Sequence, residues 1–177
     1  MPLIDKVFPF GIRDVKLTPM NASETLGTAV DLPAARTLSF SETVESEELR
    51  GDDIVQASHE NGPVIEWDLE EGGISLAAYA VMAGGTVTSS GTTPNQVRTY
   101  SKLGTDARGY FKAEGQAISD SGGDLHGIIY KAKADGNLEG SMEEGSFWIT
   151  AASGKGYPNA SNKLYDFVQN ETAVAIS

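Results

Sequence analysis

Apolar and polar residues alternate in short runs along most of this chain, and clusters of Gly, Ser, Thr, Asn and Pro separate the runs. Alternation with a period of two sends successive side chains to opposite faces of a ribbon, which is how a half-buried strand reads. Val7–Met20 carries such a run through Ile12, Val15 and Leu17 and closes near Pro19; Leu26–Leu32 makes a second before Pro33, with a polar turn between them. From Arg36 the pattern sharpens, with Leu38, Phe40 and Val44 on one side and Thr37, Ser39, Ser41 and Thr43 on the other. Residues 46–62 hold too few apolar side chains to pack alone and read as a long acidic loop or an extended hairpin tip. The strongest alternation follows, where Ile65, Trp67 and Leu69 oppose Glu66, Asp68 and Glu70, so that one face is core and the other is acid.

Gly72-Gly73 ends that strand. Within Ile74–Ala83, the positions Ile74, Ala77, Ala78 and Val81 recur at helical spacing with Gly84 at the stop, which predicts one helix over 74–83. Residues 84–96 read as a connection or weak hairpin, Val97–Leu103 and Gly109–Ile118 as strands, and Ser119–Asp124 as a turn. In Leu125–Ala134 the pattern puts His126, Ile128, Tyr130, Ala132 and Ala134 on one face and Lys131 and Lys133 on the other, and Asp135-Gly136-Asn137 reads as the next turn. Glu143–Ala152 alternates Phe147 and Ile149 with Trp148. A polar run, Ser153–Lys163, then leads to Leu164-Tyr165-Asp166 and a terminal Thr172–Ile176. The sum is about eight to ten short strands and one helix, in a single mainly-β domain over residues 1–177 without internal repeat or linker.

Charge changes this picture in one place. The chain has 13 Lys+Arg against 25 Asp+Glu, a formal charge of −12, which opposes non-specific attraction to nucleic acid or an anionic membrane. Most of the excess lies in residues 41–71, where Glu42, Glu45, Glu47, Glu48, Asp52, Asp53, Glu60, Glu66, Asp68, Glu70 and Glu71 face Arg50 alone. A solvated loop plus the outer face of one strand accounts for that composition as readily as a functional surface does.

The chemistry of catalysis is sparse. There is no cysteine, which removes thiol nucleophiles, disulfides and Cys-based metal sites. Gly154-Lys155-Gly156 lacks the Lys-Ser/Thr ending of a phosphate loop and reads as a surface turn. His59 among Asp52, Asp53 and Glu60 lacks calcium-loop spacing and reads as a solvated loop histidine, while His126 reads as a core or interface histidine on the apolar face of its strand. No Gly-x-Ser-x-Gly elbow is present. Met1–Phe10, with its single Lys6, has no apolar signal core, and no run approaches the length of a membrane span, so a protein made in the cytoplasm without export or membrane anchoring is expected. The triplets at Asn21, Asn159 and Asn170 then have no glycosylation role. No enzyme, cofactor or metal is expected.

The order of features resembles the major tail tube proteins of long-tailed, siphovirus-type bacteriophages. The resemblance rests on Phe10-Gly11-Ile12-Arg13-Asp14-Val15-Lys16-Leu17-Thr18-Pro19, then Gly27-Thr28-Ala29-Val30-Asp31-Leu32-Pro33, and Leu38-Ser39-Phe40-Ser41. It extends into Glu47-Glu48-Leu49-Arg50-Gly51-Asp52-Asp53 and closes with Tyr165-Asp166-Phe167 and Asn170-Glu171-Thr172-Ala173. It implies an antiparallel β-sandwich or split barrel of short strands with one flanking α-helix, akin to contractile-tail and type VI secretion tubes, that assembles as hexameric rings. The rings stack into a hollow tube in the virion, whose acidic wall conducts viral DNA without binding it. The implied partners are further copies of the chain, the tape-measure protein, the tail terminator and distal tail proteins. No C-terminal immunoglobulin-like domain is expected within 177 residues.

On that resemblance, Glu66, Asp68 and Glu70 are expected to line the lumen. Glu47, Glu48, Arg50, Asp52 and Asp53 are expected to lie on a loop that reaches a neighbouring subunit or ring. The tips at 84–96 and 153–163 are candidates for ordering on assembly. Two other readings share the composition: a capsid decoration or tail-terminator subunit, and a monomeric carbohydrate-binding β-sandwich that presents Trp148 or Tyr157 on a flat face.

Overall fold

The computed structural model describes residues 7–44, 46–120 and 122–176. Met1–Lys6, Glu45 of the acidic run, Ser121 of the expected turn and Ser177 lie outside the described residues. Among the described residues the elements are β1 (Asp14–Met20), β2 (Val30–Asp31), β3 (Ala35–Thr43), β4 (Ser46–Gly51), β5 (Ile54–Glu60), β6 (Val64–Gly72), α1 (Leu76–Ala83), β7 (Thr86–Ser90), β8 (Val97–Ser101), β9 (Tyr110–Ile118), β10 (Asp124–Glu139), β11 (Ile149–Gly156) and β12 (Tyr165–Asn170). The protein is mainly β, and every strand pair is antiparallel. One sheet runs β2-β1-β9-β10-β11-β6-β3, with β12 added to β10, while β4–β5 and β7–β8 are separate hairpins.

β10 holds the sheet together. Over Asp124–Ala132 it pairs with β9, and over Asp124–Ile129 its other edge pairs with β12; from Ala132 to Glu139 that edge passes to β11. A bulge between Ile129 and Ala132 moves the inward set of side chains by one position, so Ile129, Ala132 and Ala134 are buried together while Ile128 and Tyr130 are not. The expected single face from His126 to Ala134 is therefore split. Asp135-Gly136-Asn137 is not a turn, because a second irregularity between Ala134 and Leu138 absorbs the glycine and lets the strand continue.

The core lies where the β3–β6–β11 side of the sheet meets the β1–β9–β10 side. Val15, Leu17, Phe111, Ala113 and Ile129 point into it from one side, and Ile65, Trp67 and Leu69 from the other. Trp67 meets Phe111 edge-on, with ring centroids 5.6 Å apart, and Phe40 stacks on Phe167 at 5.2 Å. Truncating the buried Trp67 or Phe111 ring costs about 3–5 kcal/mol. Leu38 and Phe40 fill the space above Gly115 and Gly127 that side chains there would need.

Gly154 and Gly156 are buried in β11, not in a surface turn. A side chain at Gly154 would meet the Lys133 carbonyl and the Trp67 ring, and one at Gly156 would meet Ile129 and Ile65. Gly154 is small because the indole of Trp67 lies over it, and Gly156 because Ile129 and Ile65 close over it. The same strand removes Ser153–Gly156 from the polar run read as a loop tip.

α1 begins later than its apolar spacing suggests. Ser75 caps it, its hydroxyl accepting the Ala78 N–H at 3.3 Å, and Gly84 ends it with φ 76°, where a Cβ would collide with the Ala107 carbonyl. Its buried residues are Ala78, Met82 and Ala83, whereas Ile74 precedes the helix and is exposed. Residues 86–101 form the β7–β8 hairpin, and of Leu26–Leu32 only Val30–Asp31 is strand. No helix is long and apolar enough to cross a membrane.

The glycine packing predicts that Gly154→Ala lowers unfolding stability by about 3 kcal/mol, through overpacking against Trp67 and the β10 backbone. Lys155→Ala, one residue on and exposed on the opposite face, changes it by less than about 0.5 kcal/mol. Denaturant unfolding of the two variants measures the difference.

Candidate functional site

β6 presents its acids as the alternation requires. Ile65, Trp67 and Leu69 are buried while Glu66, Asp68 and Glu70 are exposed, spaced about 6.7 Å apart along one face. Their cross-strand neighbours are short: Ser41, Ser39 and Thr37 on β3, and Ser153 and Ala151 on β11 beside Asp68 and Glu70. Small neighbours leave the carboxylates standing proud of the surface. Beside Glu66 lies Lys155, itself opposite Lys133, so the acidity of the face is strongest at its Asp68–Glu70 end.

Glu71, the last acid of the run, is not on this face. It points inward beside Thr150 and is buried, and burial first, with Asp31 second, pushes its carboxyl above the usual carboxylate range.

Of the two forms expected for residues 46–62, a long loop or an extended hairpin tip, the structure has the hairpin, β4 pairing with β5 from Ser46 opposite Glu60 to Gly51 opposite Ile54. Asp52 and Asp53 both take positive φ, 52° and 62°, which gives the tight turn whose twist matches paired strands; short polar side chains tolerate that conformation. Glu47, Glu48, Arg50, Asp52 and Asp53 are brought together here, all exposed, with Arg50 paired to Glu48 at 2.9 Å. Leu49 and Ile54 are exposed on one face of the same ribbon. His59 is exposed opposite Glu47, and no cluster of the described residues could hold a metal ion.

A second polar assembly, unseen in the sequence reading, sits on the outward face of β9 and β10. Lys112, Glu114 and Gln116 alternate with the core residues Phe111, Ala113 and Gly115, and Asp124 and His126 stand on the same polar face. His126 is thus not on the apolar face of its strand. Asp124 is fully buried; its Oδ2 accepts from Gln116 at 2.5 Å and the Val174 N–H at 2.9 Å, and its Oδ1 accepts from Asn170 at 2.8 Å. His126 Nε2 lies 3.0 Å from both Asp124 Oδ2 and the Val174 carbonyl; both are acceptors, so Nε2 donates. Nδ1 faces Glu114 at 3.5 Å, whose other oxygen meets Lys112 at 2.5 Å. Burial raises the Asp124 carboxyl, but the bonds from Gln116, Val174, Asn170 and His126 outweigh it and hold it at about 2.

This cluster fastens the C-terminal segment. Gln116 also donates to the Val174 carbonyl at 2.8 Å, Lys16 donates to the Ile176 carbonyl at 2.6 Å, and Ile176 is buried. With every polar atom of Asp124 engaged and the histidine covered, the arrangement is a clasp and offers no access to a substrate. Trp148 directly precedes β11 and Tyr157 directly follows it. No protein-family model matches the chain, and no curated protein sequence matches it.

Asp124→Ala leaves several buried donors unpaired and costs about 3–5 kcal/mol at pH 7. Because the folded carboxyl lies below its ordinary value of 3.8, the charge-dependent part of that cost is whole above that value and is lost as pH falls through about 2. Unfolding measured across pH shows the wild type losing this part there, and the variant lacking it. Glu71 has the opposite sign. Raised in the fold, it costs stability above its ordinary value of 4.5, so Glu71→Gln raises Tm at pH 7 and gives no gain well below pH 4.5.

Proposed function

We propose that this chain is the structural subunit of a hollow tube. It is a β-sandwich or split-barrel protein that closes into hexameric rings, and the rings stack so that their acid-faced sheets line a channel for viral DNA. The observation that carries this reading is the union of two features on one run of strands, β10–β11–β6–β3. Its outer face bears Glu66, Asp68 and Glu70, and its last strand, β3, offers an edge of nine residues that no described strand pairs.

An unpaired edge of that length templates association unless it is covered. At the other end of the run, the far edge of β10 is unpaired by any described strand beyond Ala132, and Arg108 donates there to the Ala134 and Gly136 carbonyls at 3.0 and 2.7 Å. Setting the β3 edge of one subunit against the β10 edge of the next, with Arg108 displaced, removes both edges and joins the sheets into one wall. The acids of β6 then repeat around the bore. Against DNA, with one charge per about 1.7 Å, such a wall repels at every depth and gives the duplex nothing to grip. In this reading the partners are further copies of the chain, a tape-measure protein, the tail terminator and distal tail proteins, and the chain resides in the virion.

The triple variant Glu66→Lys, Asp68→Lys, Glu70→Lys tests the placement, since all three side chains are exposed and their replacement leaves the core intact. Assemblies of the wild type leave duplex DNA free at low salt, whereas assemblies of the variant retain it and release it steeply as salt rises. Equal retention by both, or retention by the wild type, overturns the reading.

A further inference from the structure

Pairing of β10 with β9 ends at Ala132, and from there to Glu139 that edge of β10 is joined to no described strand. Arg108, on the connection from β8 to β9, closes over it, its Nη1 donating to the carbonyls of Ala134 and Gly136. Arg108 also borders a cavity of about 430 Å³, shared with Tyr79, Tyr100, Lys102, Asn137 and Glu139. We propose that Arg108 is a two-position latch on the β10 edge. On the carbonyls it bars a second strand; swung across the cavity to Glu139 it leaves the edge free. This inference rests on the tube reading for the identity of the incoming strand, β3 of a further copy, and it adds the step that decides when the edge opens.

An open edge templates pairing with any strand that reaches it, and sheets guard such edges with charge. Here the guard acts on the hydrogen bonds themselves. Two carbonyls that a docking strand must reach with its N–H groups already have a donor, and a bond from a charged donor is stronger than the neutral one that would replace it. Because the guanidinium is always charged and rigidly planar, one nitrogen can bridge both carbonyls at once.

The second position is already built. Glu139 is exposed, and among the described residues neither it nor Arg108 forms an ion pair, although both line the same cavity. Opposite charges face one space without meeting because the guanidinium is turned to the edge. The nearby charges are otherwise engaged or outside the cavity wall. Lys102 donates to the Ala83 carbonyl at 2.6 Å, Asp106 accepts the Leu103 N–H at 2.7 Å, and Asp135 is exposed beyond the cavity lining. Tyr79 and Tyr100 meet edge-on at 5.7 Å, and the Tyr100 hydroxyl is fixed on the Gly84 carbonyl at 2.7 Å, so the space between latch and acid is held open.

Only the fraction of subunits with the latch on Glu139 can accept a strand, and that fraction scales the apparent affinity of the edge. Light scattering from dispersed subunits at one concentration measures the initial rate of association. Arg108→Ala is expected to raise that rate at least tenfold. Arg108→Gln, which keeps an amide donor for the connection but no charge, moves it the same way and covers a failure of the alanine variant to fold. Glu139→Gln, at an exposed position, is expected to lower the rate about threefold, as the loss of a surface ion pair allows. With Arg108→Ala present, Glu139→Gln is expected to have no further effect, since the acid acts only through the guanidinium. Arg108 variants no faster than the wild type, or a Glu139→Gln effect that persists without Arg108, overturn the latch. Electron microscopy of the products separates it from the tube reading. Faster growth into ribbons without a channel keeps the latch and removes the tube, whereas tubes that form equally fast from wild type and variants keep the tube and remove the latch.

Discussion

The sixteen residues of β10 serve two sets of partners, β9 and β12 over the first half and β11 over the second, and the rest of the molecule depends on that handover. A strand has only two edges, so changing partners along its length forces a change of direction in the sheet. The irregularities at Ile129–Ala132 and Ala134–Leu138 supply it, and they bring β6 and β3 over β9 and the first half of β10. Trp67 then falls between Phe111 and Gly154 of β11. Enlarging that glycine or straightening β10 would remove the space the indole occupies.

How much of this was legible in the sequence follows from which signals are local. Ile65, Trp67 and Leu69 against Glu66, Asp68 and Glu70 is pure alternation in a strand buried on one face, and it reads correctly residue by residue. Ser75 and Gly84 bracket the helix through their own backbone chemistry. The misses are positions where glycine or polarity answers to a distant partner. Gly136 sits inside a bulge with Ser153 across from it, and Gly154 is small because of Trp67, 87 positions earlier. The sequence pattern puts His126 on an apolar face because the bulge at Ile129 reverses the alternation after it. Its true neighbours, Glu114 and Val174, are separated from it by 12 and 48 positions in the chain. The alternation Lys112, Glu114, Gln116 in β9 was the available signal for a polar outward face, although it could not have named the C-terminal segment that covers it.

The same physics divides the surface into finished and unfinished parts. Over β9 and β10 the polar face is completed from within the chain, with Asp124 saturated by four donors and the C-terminal segment clasped over it. Elsewhere the chain stops short. β3 has an open edge, the hairpin exposes both faces, and Phe147 stands almost wholly in water. In the proposed assembly the open β10 edge beyond Ala132 is the counterpart of the open β3 edge.

Assembly into a hollow tube is the claim on which the functional account stands, and direct imaging of the purified wild-type protein by negative-stain electron microscopy over a range of concentrations tests it. The account predicts stacked rings with sixfold symmetry and a stain-filled central channel, lengthening as concentration rises. Compact single subunits at every concentration, or closed rings that never stack, would contradict it.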